Sequence, residues 1–258
     1  MADKEFTADK ELKLNSQYTV AMGNELVKIQ SELSVNELKV LRTVISNCQR
    51  DDEGFYRYET TVPELAEFFG INAQDLYNKI PNDKKSKSRI DKITKDLTKE
   101  VVYLIDASGE VYDYYPWFQH CRYNTKTGKA EFELNSRLAD HLLNLKELYT
   151  SYVLENILVL KSAHSIRLYE LLTEAVKTKK VKYPYKVYLS VDEIRTATGT
   201  QDKYVKLNMW QRRVIDSSIE ELNEKLFYDI KYYPVRKGNK FIGYDFWINR
   251  FSGADKSN

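Results

Sequence analysis

An α+β fold of two similar units, each a run of short helices closed by β-hairpins, is the class that this sequence predicts. Three observations predict it. Apolar periodicity switches between helix and strand in the same order in both halves, a short helix in each half stops at a glycine in the same register, and no Gly- or Pro-rich linker divides them. With 258 residues, 42% of them hydrophobic, the chain can bury two ordinary cores.

Residues 1–23 carry alternating charges at their start and no apolar run, and read as a mobile leader. The first unit, 24–150, opens with a helix over about 34–48, where Leu33, Leu38, Leu41, Val44 and Ile45 share a stripe and Ser34 with Glu37 forms a capping box. DDEGF breaks it, and YRYETTV reads as a strand. PELAEFF is then a short helix with Pro63 in its first turn and Gly70 as its stop. After a linker, SRIDKITKDL places Ile90, Ile93 and Leu97 on one stripe. VVYLIDASGEVYDYYPWF and QHCRYNTKTGKAEFEL alternate about Ser-Gly and Thr-Gly turns, as hairpins do. RLADHLLNLKELYTSYVLENILVLKS, free of glycine and proline, reads as a nearly continuous helical connector.

The second unit, 151–250, repeats the order: helix SIRLYELLTEAV, strand YKVYLS, short helix VDEIRTATGT, long helix LNMWQRRVIDSSIEELNEKL, and a hairpin turning at Lys-Gly-Asn. Val62, Glu64, Leu65 and Gly70 align without gaps on Val191, Glu193, Ile194 and Gly199, which suggests an internal duplication. Residues 251–258 are left as a tail.

Charge is distributed unevenly. Residues 1–150 hold 21 basic against 25 acidic side chains, 151–258 hold 19 against 13, and 79–99 hold eight against three. Lys-rich stretches are most often solvated helix surface. Here, however, the basic islands precede or open the helix that follows a short helix in each unit, the order of a helix-turn-helix. With the hairpins as wings, each unit predicts a winged-helix domain on double-stranded DNA.

In the second unit Lys206, Asn208, Gln211 and Arg212 are expected nearest to bases, since Arg or Lys suits guanine and Asn or Gln suits adenine; Lys203, Tyr204 and Arg213 suit phosphates. Val214, Ile215, Ser218, Ile219 and Leu222 form the stripe that anchors this helix. The hairpin tip Arg236, Lys237 and Lys240 is the candidate wing contact, or an ordinary charged turn. In the first unit Lys84, Lys85, Lys87, Ser88 and Arg89 offer charge and hydroxyls that suit phosphates.

Chemistry of other classes finds little support. His120, His141 and His164 show neither HxH nor HExxH spacing, Cys48 and Cys121 stand alone, and GxxxxGK[ST] is absent. A non-enzymatic, cytoplasmic protein with no cofactor, metal or membrane span is expected.

At LKSAHSIRLYELL (160–172) the chain resembles the Rep_3 family of plasmid replication initiators, also called initiator RepB proteins. The resemblance extends to NLKELYTSYVL, VDEIRTATGT, the polar helix after it and the closing hairpin, and covers most of 24–248; His164 departs from an expected aromatic residue. It implies that the C-terminal domain binds directly repeated origin sites, or iterons. The N-terminal domain would contact neighbouring backbone and form homodimers, with VVYLIDA and VYDYYPWF as candidate strands. Monomers would recruit a host initiator and replicative helicase, and dimers would repress the initiator's own promoter. The alternative is a winged-helix transcriptional regulator with a dimerisation or sensing domain.

Overall fold

A computed structural model describes residues 8–49, 51–105, 108–177 and 184–249, so the first seven residues and the expected tail 251–258 lie outside it. The described part of the expected leader is built into the fold. β1 (Asp9–Glu11) pairs in parallel with 57–59, and Leu12 is buried with its amide on the Glu59 carbonyl. β2 (Thr19–Gly23) buries Val20 and Met22. Leu12, Val20 and Met22 are too few to show a period, but each finds a strand or helix to cover it.

α1 (Asn24–Lys28) leads to α2 (Val35–Ser46), whose expected capping box forms: Glu37 Oε2 accepts the Ser34 amide at 2.7 Å. β3 (Arg57–Thr61) runs directly into α3 (Val62–Phe68), stopped at Gly70 in the left-handed region, φ 65°. The stretch read as a linker holds α4 (Ala73–Tyr77), capped by Asn72, before α5 (Arg89–Leu97). β4 (Val101–Ile105) and β5 (Tyr112–Pro116) pair only with each other among the described residues. β6 (Phe118–Tyr123) and β7 (Lys129–Leu134) join β3 in a sheet of order β1-β3-β7-β6.

The connector departs from a continuous helix. α6 (Ala139–Leu142) is one turn long, β8 (Tyr149–Val153) pairs antiparallel with β2, and α7 (Glu155–Leu158) is again one turn. The reason is in YTSYV itself: Thr150 and Tyr152 point inward while Tyr149, Ser151 and Val153 are only partly covered. That period of two, with aromatic and β-branched side chains, wins once β2 supplies a partner.

α8 (Ala163–Lys177), β9 (Tyr185–Ser190) and α9 (Val191–Ala197) follow as expected. α10 (Leu207–Trp210) continues through a π-helical turn at Gln211–Asp216 into α11 (Ser217–Leu226). β10 (Ile230–Lys237) and β11 (Lys240–Ile248) close a sheet of order β10-β11-β9. The duplication is visible in geometry. β3 and β9 each enter a helix through a capping box, Thr61 with Glu64 and Ser190 with Glu193, and each pairs antiparallel with the second strand of a hairpin.

A buried ionic network ties α2 and β8 to α8. Glu170 on α8 accepts from Arg42 of α2 at 2.6 and 3.1 Å, from the Tyr152 hydroxyl of β8 and from Arg167. Arg167 spans the junction, donating to the carbonyls of Val27 and Ile29 on one side (2.7 and 2.9 Å) and of Ala197 on the other (2.9 Å). Burial alone would raise the Glu170 pKa, but Arg42 and Arg167 hold it down at about 2. Next to this network Gly199 (φ 59°) lies so close that a Cβ there would stand 2.4 Å from the Ser31 carbonyl oxygen. These contacts fix how the second helix-turn-helix sits against the first unit.

Candidate nucleic-acid interface

The turn between α9 and α10 is held from below. Arg195 donates to the carbonyls of Thr200 (2.6 Å), Lys203 (2.9 Å) and Tyr204 (3.3 Å), and its guanidinium lies 4.6 Å from the Trp210 ring centre. Trp210, fully buried, donates from its indole to Thr200 Oγ1 at 2.9 Å. A turn tied at three carbonyls presents the next residues in one arrangement. Sequence reasoning missed Arg195 because its partners are backbone oxygens.

The α10–α11 helix is anchored by the stripe expected for it: Val214, Ile215, Ser218, Ile219 and Leu222 are all buried. Two tyrosines of the hairpin add polar anchors, Tyr232 donating to Asp216 Oδ1 at 2.6 Å and Tyr244 to Gln211 Oε1 at 3.0 Å. Burial and the neighbouring Asp216 carboxylate push the Tyr232 pKa up to about 12, so its donating proton is retained across ordinary pH. Asn223 exchanges two bonds with the Ile230 backbone, at 3.0 and 2.9 Å. With one face fixed, the other is presented. Lys206, Asn208, Arg212 and Arg213 are exposed along it, with Met209, Arg212, Arg213, Ser217 and Tyr204 lining a shallow cleft.

Not every candidate stands where it was expected. Gln211 is half-buried and its side-chain oxygen is engaged by Tyr244, which removes half of the bidentate pattern that adenine requires. Tyr204, in the left-handed region at φ 55°, is half-buried between the edge of His164 (6.3 Å) and Arg213 (5.8 Å); it braces the turn. His164 is the departure from the family pattern, and burial pushes its pKa down. Lys203 is exposed at the junction, 3.6 Å from Glu32 of the first unit. Arg236, Lys237 and Lys240 are exposed at the β10–β11 tip, where Arg236 donates to the Asn239 carbonyl at 3.2 Å.

In the first unit Lys84, Lys85, Lys87 and Arg89 are exposed on the approach to α5. The loop is shaped by Asp83, whose Oδ1 accepts the amides of Lys85 (2.8 Å) and Ser86 (3.1 Å), and by Lys95, which donates to the Lys85 carbonyl at 2.8 Å. Ser88 departs from the expected contact: it is buried and its hydroxyl accepts the Asp91 amide, capping α5. A serine ahead of a helix competes for this role, and the orphan amides of the first turn win it.

Sequence reasoning also missed three exposed apolar residues around the helix start, Val205, Leu207 and Met209. Among the described residues no group of three or more His, Cys, Asp or Glu side chains could hold a metal ion, and no helix is long and apolar enough to cross a membrane.

Comparison with known proteins agrees with this architecture. Residues 19–173 match the family model described as Initiator Replication protein, WH1, and residues 190–248 match Initiator Rep protein, WH2. The first match runs past the sequence-based boundary at 150 and takes in β8, α7 and most of α8. A replication initiation protein of Escherichia coli is 22% identical over 228 residues, which span 85% of this chain and 68% of that one. Among solved structures, the Pi initiator protein crystallised in complex with iteron DNA superposes with a TM-score of 0.68 at 17% identity, over 92% of this chain and 99% of that chain, which shows a shared fold.

Proposed function

Since this chain belongs to the initiator replication protein family, matching both of its winged-helix models, we propose that it initiates plasmid replication by binding repeated sites in double-stranded origin DNA. The observation that carries this reading is the α10–α11 helix. It is pinned on one face by a fully buried stripe and offers Lys206, Asn208, Arg212 and Arg213 on the other, the residue types that pair with base edges in a major groove. The iteron DNA in the crystals of the Pi protein, which shares this fold, supports the same kind of target.

The first unit contributes phosphate contacts from Lys84, Lys85, Lys87 and Arg89, and the tip of β10–β11 contributes Arg236, Lys237 and Lys240. The β4–β5 hairpin supplies a dimer surface. Its register puts Val101, Tyr103 and Ile105 opposite Pro116, Tyr114 and Tyr112 on one face, where Val101, Ile105, Tyr112 and Tyr114 are exposed. An apolar face of this kind at a sheet edge is covered in a stable assembly. A second copy fits a protein that represses its own promoter as a dimer and recruits a host initiator and helicase as a monomer.

A salt-controlled gel shift and footprint on the DNA upstream of its own gene, against an equal-length competitor, tests the reading. Protection of several evenly spaced direct repeats supports it; one inverted repeat turns it into a dimeric repressor, and no preference over competitor defeats base recognition.

A further inference from the structure

We propose that Val205 and Met209 form an apolar reader of thymine methyl groups beside the arginines of the α10–α11 helix. The proposal rests on the base-recognition reading given above. Val205 is 94% exposed, more than any other large hydrophobic side chain among the described residues, and Met209 is 44% exposed.

Val205 does not stand out because its loop is loose. The carbonyl just before it belongs to Tyr204 and is held by Arg195; the Tyr204 ring is wedged between His164 and Arg213. With Tyr204 in the left-handed region its ring turns inward, and the next side chain is left outside. Met209 lines the same cleft as Arg212 and Arg213, one helical turn before them.

A valine held in water beside cationic side chains gains only when an apolar group covers it. In the major groove the one apolar group on a base edge is the C5 methyl of thymine. The arginines set which guanines are near, and the methyl reader then selects thymine over cytosine at adjoining positions. Met209, unbranched and polarizable, fits a methyl at more than one offset, whereas Val205 fits one.

The test uses the full chain and a duplex carrying one footprinted repeat, with each thymine replaced in turn by deoxyuridine, a change that deletes only the methyl. At two positions the substitution should weaken binding about threefold to fivefold. Val205→Ala and Met209→Ala should each bind the thymine duplex about that much more weakly and lose the thymine-uracil difference at one position while keeping it at the other. If the wild type prefers the repeat over an unrelated duplex yet binds every deoxyuridine version equally, the methyl reader is overturned while base recognition stands. If it shows no preference for the repeat, the reading beneath the proposal falls with it.

Discussion

The two units share a scaffold but display different chemistry at the same place. In each, a strand enters a capped short helix, that helix ends at a left-handed glycine, and a longer helix follows, backed by a hairpin paired to the first strand. The difference lies in the segment before the longer helix. In the second unit Arg195 and Trp210 tie a short turn, so guanidinium and amide groups stand on the first turns of the helix itself. In the first unit α4 intervenes, and the cations sit mainly on a loop shaped by Asp83, without an exposed guanidinium-amide pair on the helix. A rigid helix face distinguishes bases; loop lysines neutralise phosphates. On the proposed reading one duplicated scaffold serves two tasks, and the contacts of Arg167 and Gly199 across the junction hold the two in one geometry.

Breaking that junction should have the largest effect. Glu170→Gln leaves Arg42 and Arg167 buried without their carboxylate and should cost roughly 3–5 kcal/mol of stability by denaturant titration. Its pH signature has a definite sign. A carboxyl depressed to about 2 from the usual value of 4.5 stabilises the fold above the usual value, and that contribution is lost as pH falls through the window between the two. The wild type should therefore show an acid limb in that window that the variant lacks.

Arg212→Ala should cost about 1–3 kcal/mol on a cognate repeat and much less on unrelated DNA, narrowing the ratio of the two affinities. Ser88→Ala should cost about 1 kcal/mol of stability by thermal or urea unfolding, because the hydroxyl caps α5, while leaving the salt dependence of DNA binding unchanged. Lys85→Ala should have the smallest effect, weakening cognate and unrelated duplexes alike and reducing the slope of log affinity against log salt by about 1.

Much of this was legible because it is local. The capping box at Ser34, the buried stripe from Val214 to Leu222 and the left-handed stops at Gly70 and Gly199 each follow from side chains a few positions apart. What escaped depends on partners that side-chain periodicity does not show, some of them far along the chain and some of them backbone oxygens close by. β8 becomes a strand through its pairing with β2, roughly 130 residues earlier in sequence order. Arg167 and Arg195 look like surface arginines until the fold brings carbonyl oxygens to them. Gln211 and Ser88 were of the right type for DNA contact and are engaged internally, because a polar group near a buried tyrosine or an orphan amide is satisfied there first.

Chemical interference on a footprinted repeat tests the division of labour most directly, comparing guanine N7 methylation with phosphate ethylation for the wild type and Arg212→Ala. The expected result is guanine interference at one end of the repeat only, weakened by Arg212→Ala, with phosphate interference across both ends. Guanine interference at both ends, or interference that Arg212→Ala leaves untouched, would contradict a second unit that reads bases and a first that holds the backbone.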